Sequence, residues 1–254
     1  MKKSGRTQTN YGEIQRIGRR SFGVPARTDQ PELLDQSHGS LEDVSINLSE
    51  IWRINRYLGG IKALTCHLYP LLQQQSKPTR VVDIGAGSGE IGLLLARWAE
   101  RNMFRLAVSG LDRSQRNLSV SSADVKSKVS LIQADACALP FSSNDVDYFI
   151  SSLFLHHLSV EQVVGVLRET YARCRRGIVM SDLVRGYLPL VAFRVIQPFF
   201  ARHYLTRYDG MVSIKRAFTP DELLTLAHAA GIDTAMVYSH FPWRMTLVAE
   251  KPRV

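Results

Sequence analysis

A chain of 254 residues with 45% hydrophobic content can bury a full core, and at that length it forms one α/β domain with an extension or at most two small domains. It has no apolar run near the roughly 20 residues of a membrane-spanning helix, and its basic start, Met1-Lys2-Lys3-Ser4-Gly5-Arg6, lacks the apolar segment of a secretory signal. The net charge of +9 argues only weakly for nucleic acid: Lys2, Lys3, Arg6, Arg16, Arg19, Arg20 and Arg27 face only Glu13 and Asp29 in the first thirty residues, which hold over half of the excess.

Residues 1–30 are polar, basic and aperiodic and read as a flexible tail. Residues 31–77 predict a helical cap. Its apolar positions run through Leu33, Leu34, Leu41, Val44, Leu48, Ile51, Ile54 and Leu58, pause at Gly59-Gly60, and resume through Ala63, Leu64, Leu68, Leu71 and Leu72. From residue 78 onward strand and helix signals alternate. Strands are expected over 81–84, 106–111, 129–133, 147–152 and 177–181, with a helix over about 160–173. Each crossover is long enough for a helix, which forces parallel pairing. An insertion over 183–218 carries an aromatic helix from Tyr187 to Tyr204 and then a polar stretch over 207–216. After a helix opening at Thr219-Pro220-Asp221-Glu222, strands over 234–239 and 245–249 flank a His240-Phe241-Pro242-Trp243 turn, so one of the pair must run antiparallel to the rest.

The chain is organised around Val81-Val82-Asp83-Ile84-Gly85-Ala86-Gly87-Ser88-Gly89-Glu90, an apolar strand running into a glycine turn and a helix. Such a turn lets a ligand approach the backbone closely. Gly87, Gly89 and Gly92, with Asp112 twenty residues further on, match the spacing of a dinucleotide fingerprint. That fingerprint begins directly after the strand, however, and in that register Glu90 occupies the third glycine position. Asp83 would also repel a pyrophosphate. The turn suits a ligand that is cationic and free of phosphate, as S-adenosylmethionine is.

Here the stretch resembles motif I of the class I S-adenosylmethionine-dependent methyltransferases, and the resemblance extends over about residues 78–250. Asp112 ends strand two, Ala134-Asp135-Ala136 follows strand three, and Ala138-Leu139-Pro140-Phe141 with Asp145-Val146-Asp147 leads into strand four. Ser152-Leu153-Phe154-Leu155-His156-His157-Leu158 is similar to the "LHHL" segment of a branch that includes ubiquinone and menaquinone methyltransferases. Departures are Arg173-Cys174-Arg175-Arg176-Gly177 in place of a "KPGG" turn, and a strand four without the Asn/Asp-Pro-Pro-Tyr signature of amino-methylating enzymes. The resemblance implies an α/β fold: a Rossmann-like, seven-stranded, mostly parallel sheet with a terminal antiparallel hairpin, covered at the active site by the N-terminal helices and the insertion. It implies S-adenosylmethionine as donor and S-adenosylhomocysteine as product. Asp83, Gly85, Ala86, Gly87, Gly89, Asp112, Arg113, Asp135, Ala136 and Ser152 would form the donor site, with Asp112 on the ribose and Asp135 near the adenine.

Methyl transfer relies mainly on alignment, and a hydroxyl acceptor must also lose a proton. His156 or His157 could take it, or the pair could be structural. Trp52, Tyr57, Tyr187, Phe193, Phe199, Phe200 and Tyr204 could line an aromatic pocket or simply pack the cap. Among polar groups near the mouth, Asp182, Arg185 and Arg216 are candidate substrate contacts, with Arg207 and Asp209 beside them. The stretch over 55–60 could close over the donor. These residues predict a small, aromatic or polyketide-like acceptor methylated at oxygen, with carbon methylation of a quinone-type ring, an RNA-binding methyltransferase and a dehydrogenase as alternatives. The widely spaced Cys66, Cys137 and Cys174 form neither a disulfide framework nor a zinc pattern. A cytoplasmic protein without a metal is therefore expected, with monomer and homodimer both open.

Overall fold

A computed structural model describes residues 12–252. Seven strands form one sheet in the order β3-β2-β1-β4-β5-β7-β6: β1 (Thr79–Ile84), β2 (Leu106–Asp112), β3 (Ser130–Gln133), β4 (Val146–Ser152), β5 (Cys174–Leu183), β6 (Met236–His240) and β7 (Arg244–Glu250). The first five pair in parallel, and β7 runs antiparallel to both β5 and β6. The sheet thus closes with the hairpin that the two terminal apolar runs predict.

The central strands are buried on both faces, so their residues sort by parity. Val82, Ile84, Phe149, Ile178 and Met180 enter one core, with Val163, Leu167, Leu223 and Leu226 from α6 (Val160–Arg173) and α9 (Pro220–Ala229). Val81, Tyr148, Ile150 and Val179 enter the other, with Leu64, Leu68 and Leu72 from α2 (Gly60–Gln73) and Leu93, Leu95 and Trp98 from α3 (Glu90–Arg101). The helix α2 thus packs on the sheet, whereas α1 (Leu41–Tyr57) reaches over its edge. Reciprocal capping starts three of these helices: Ser40 with Asp43, Ser159 with Gln162, and Thr219 with Glu222. Two short helices, α4 (Gln115–Ser119) and α5 (Ala123–Lys128), complete the β2–β3 crossover.

The insertion holds two helices, α7 (Tyr187–Phe200) and α8 (Tyr204–Arg216). The expected aromatic helix ends at Phe200, and the stretch expected to be merely polar is helical. The helix α8 escapes a periodicity search because it buries polar Thr206, Asp209, Ser213 and Arg216 alongside Leu205, Val212 and Ile214. The α1 helix is bound to the insertion through both Glu50 oxygens, which accept from Arg202 N at 3.0 Å and His203 N at 3.1 Å, and through Arg53 to Phe200 O at 2.8 Å. Together they roof the carboxyl ends of β1, β4 and β5.

Two expectations for the N-terminal segment need correction. Residues 1–11 of the expected tail lie outside the described residues, but 12–30 are packed onto the domain. Arg27 donates to Arg216 O at 2.6 Å and Leu158 O at 2.7 Å and stacks over Phe218, while Gly18 N donates to Glu222 at 2.8 Å. The apolar pair Leu33 and Leu34 forms turns instead of a helix, because their N–H groups donate to Asp209 at 2.7 and 3.2 Å.

Candidate active site

Two cavities meet above the carboxyl edge of the sheet. The first, of about 790 Å³, lies over the ends of β1 and β2. It is lined by Asp83, Gly85, Ala86, Gly87, Asp112, Arg113, Asp135, Ala136 and Ser152, together with Trp52, Asn55 and Arg216. Gly89, expected beside them, instead caps α3 in a left-handed conformation (φ 82°), where a Cβ would meet Val125 at 2.7 Å. Its role is packing of α3 against α5. At Gly85 (φ 70°) a Cβ would come within 2.3 Å of Phe154, so only glycine fits.

The turn spends its own donors. Gly85 N and Ala86 N bond Leu111 O at 2.8 and 3.0 Å, and Gly87 N bonds Asp112 Oδ2 at 2.8 Å. No crown of free N–H groups remains at these three positions to hold a pyrophosphate, which disfavours the dinucleotide alternative. Asp112 Oδ1 accepts from Ser114 N at 2.8 Å, so the carboxylate both orders the turn into α4 and faces the cavity. Burial pushes the Asp112 carboxyl upward, only partly offset by these hydrogen bonds. Asp83 is buried and makes no hydrogen bond through its carboxylate among the described residues; burial, reinforced by Asp112, raises its pKa to about 8. Such a group invites a cationic ligand. Seven carboxylates line the cavity against three arginines and one histidine, a balance that also suits a cation without phosphate. The donor S-adenosylmethionine fits on both counts.

The second cavity, of about 650 Å³, lies under the roof and is mainly apolar. Ile54, Tyr57, Leu58, Phe193, Ile196 and Trp243 contribute to its wall. It shares Glu32, Ile51, Leu153 and His157 with the first. Leu153 adopts a left-handed conformation (φ 59°), rare for such a residue, and its N–H bonds Ser181 O at 3.0 Å. That kink turns the chain from β4 into the one-turn helix Leu155–His157, which carries both histidines.

The two histidines differ in environment. His156 is buried, with Nδ1 2.7 Å from Asp182 Oδ1 and Nε2 3.5 Å from Glu32 Oε1. Burial opposes its charge, but Asp182 and then Glu32 outweigh it and raise its pKa to about 9. The same contacts hold both carboxyls below their ordinary range against their own burial, with His157 the larger favourable influence on Glu32. His157 is more open; its Nδ1 lies 2.9 Å from Asp35 Oδ2 and its Nε2 3.9 Å from Glu32 Oε2. Glu32, His156 and His157 place ligand atoms within 4.8 Å of one another, although the protonated His156 ring itself supplies a cation there.

Of the expected substrate contacts, Tyr57 lines the apolar chamber, Trp52 and Arg216 line the donor cavity, and Asp182 and Arg185 line neither. Asp182 is consumed by His156 and by Leu183 N at 2.7 Å. Arg185 is a structural residue, bonded to Glu222 at 2.6 Å and Ala217 O at 2.7 Å. Arg216 bonds the carbonyls of His156 and His157, fixing the helix that bears them. Of the aromatic set, Phe193 reaches the chamber, while Tyr187, Phe199 and Tyr204 are exposed and Phe200 lines neither cavity. Of residues 55–60, expected to close over the donor, Asn55 lines the first cavity and donates to Ser152 at 3.0 Å, whereas residues 57–59 wall the apolar chamber. Glu32, Asp35 and Arg244 give no periodic or motif signal in the sequence. Only tertiary contacts bring them to the site.

The sheet order, the reversed seventh strand and the acid-lined cavity over β1 and β2 define the Rossmann-like methyltransferase fold. Residues 81–177 match the family model described as a methyltransferase domain. Magnesium protoporphyrin IX methyltransferase of Synechocystis PCC 6803, solved with bound S-adenosylhomocysteine, superposes with TM-score 0.55 at 15% identity, covering 83% of this chain and 100% of that one. A SAM-dependent methyltransferase of Aquifex aeolicus gives TM-score 0.54 at 14% identity, over 78% and 96%. A proposed O-methyltransferase of Nostoc punctiforme PCC 73102 gives 0.52 at 17%, with this chain covering 78% of itself but only 59% of that longer protein. At these identities the likeness is one of fold. No curated protein matches the chain. Residues 81–177 thus carry a methyltransferase domain in a Rossmann-like fold, a fold shared with the S-adenosylmethionine-dependent enzyme of Aquifex aeolicus and with the Synechocystis enzyme solved with S-adenosylhomocysteine. No helix among the described residues is long and apolar enough to cross a membrane.

Proposed function

We propose that the protein methylates a hydroxyl oxygen of a small hydrophobic acceptor held in the chamber beneath the roof, with His157 as general base. The observation that carries this reading is the shared wall: His157 borders both the donor cavity and the apolar chamber. The donor, when bound, supplies an electrophilic methyl group on a sulfonium. Asp83 would compensate its positive charge, Asp112 would hold the ribose, and Asp135, exposed at the rim, would meet the adenine. The apolar wall orients the acceptor and excludes water, which accounts for much of the rate in a displacement that depends on alignment.

The acceptor proton passes to His157 Nε2 as the oxygen takes the methyl group. Asp35, bonded to Nδ1, fixes the tautomer that leaves Nε2 free to accept and stabilises the imidazolium that forms. His156, already protonated, and Glu32, held below its ordinary pKa, are poor bases by comparison. The test is turnover of a panel of hydroxylated aromatic compounds with isotopically labelled donor, read by product mass spectrometry. His157→Ala should lower kcat by about a hundredfold or more while leaving donor affinity within about twofold. A ring-methylated product, or an unchanged kcat in the variant, would replace this mechanism with carbon methylation or with alignment alone.

A further inference from the structure

Arg244 opens β7 where the β6–β7 turn meets the chamber, and its side chain is only 3% exposed. A guanidinium carries five donors, but among the described residues this one makes a single hydrogen bond, Nε to Leu58 O at 3.2 Å. Its Nη1 is buried without a partner, and no carboxylate among the described residues forms an ion pair with it. The nearest influence of opposite sign is Asp182, whose oxygens are taken by His156 and by the N–H of Leu183. Burial accordingly lowers the Arg244 pKa to about 10.

The other buried polar side chains that line the chamber have partners among the described residues. Asp209 accepts from Leu33 N and Leu34 N, Glu32 accepts from Ser213 and faces the two histidines, and Thr206 accepts from Asn47. A buried, always-charged side chain with most of its donors idle is costly to maintain. It is what a site that binds an oxyanion through paired N–H groups requires.

We propose that Arg244 is the anchor for an anionic oxygen of the acceptor, so that the chamber takes an amphipathic acid: an apolar body against Ile54, Phe193, Ile196 and Trp243, and a carboxylate on Arg244. The proposal rests on reading the chamber as the acceptor site. It makes Arg244 a specificity residue, selecting among apolar molecules by charge.

Calorimetry on the full chain loaded with S-adenosylhomocysteine, at pH 7.5, tests it with three probes of one shape: 4-butylbenzoate, 4-butylbenzamide and butylbenzene. The wild type should bind the acid at least about tenfold more tightly than the amide. Arg244→Met should abolish that preference while retaining amide binding, and Arg244→Lys should keep part of it. The wild-type comparison needs no variant, so it stands even if Arg244→Met does not fold. Equal wild-type affinities for acid and amide, or a preference that persists in Arg244→Met, would overturn the anchor alone. Failure of all three probes to bind would overturn the chamber reading and the anchor with it.

Discussion

The His156 triad makes a quantitative demand on stability. Its imidazole is enclosed by Asp182 at 2.7 Å and Glu32 at 3.5 Å, all three nearly without solvent contact. The folded-state pKa of about 9 lies above the ordinary 6.5. A group whose pKa is raised by folding contributes its full stabilisation below the unfolded value and loses it as pH climbs through the folded one. Between about pH 6.5 and 9 the wild type should therefore lose about 3 kcal/mol. For a domain of this size that is a fall in Tm of about 6–12 °C. Asp83 adds a loss of the same sign as pH rises toward about 8, because its carboxyl is also raised. The difference between wild type and His156→Gln isolates the histidine. The variant leaves two buried carboxylates without their cation and should be less stable at pH 6.5 by about 3–5 kcal/mol, with the gap narrowing toward pH 9. Differential scanning calorimetry across this range reads both quantities. Parallel Tm curves for the two proteins would refute the claim that a charged His156 stabilises the fold through Asp182 and Glu32.

Two further predictions concern the donor. Because Asp83 is largely protonated near neutrality, binding of the cationic donor should expel that proton. Affinity should rise by up to about tenfold per pH unit below pH 8 and then level off. Titrations in buffers of different ionisation enthalpy should show the release at pH 7, and Asp83→Asn should abolish it. Asp112→Ala removes the carboxylate that accepts from Gly87 N and Ser114 N and faces the donor cavity. It should weaken donor binding by about ten- to a hundredfold, as expected for lost charge-assisted hydrogen bonds; an affinity unchanged by calorimetry would remove Asp112 from the donor site.

The donor half of the molecule was largely legible in the chain because its information is local. A strand carrying Asp83, a glycine turn and a helix occupy the consecutive residues 79–101, and Asp112 and Asp135 lie at or just past the end of strands whose apolar runs are visible by themselves. Where local reading erred, tertiary contacts had overridden propensity. Residues 207–216 fold as a helix with polar side chains inward, since Thr206, Asp209 and Ser213 find partners on α1 and on the segment around residue 33. Arg27, apparently one more charge in a basic tail, is held by backbone carbonyls far along the chain.

The positions of the strands along the chain, the closing hairpin and the acids at the strand ends were legible in the sequence itself, because apolar periodicity and turn residues act over a few neighbouring positions. Tertiary structure alone decided the acceptor side. Glu32 and Asp35 reach the histidines only because Asp209, some 175 residues away, captures the turn between them. Arg244 is marked as unusual only by the absence of a counter-ion in a chamber assembled from α1, α7, α8 and the β6–β7 turn. A charge is common in a sequence; whether it is compensated depends on which surfaces fold against it.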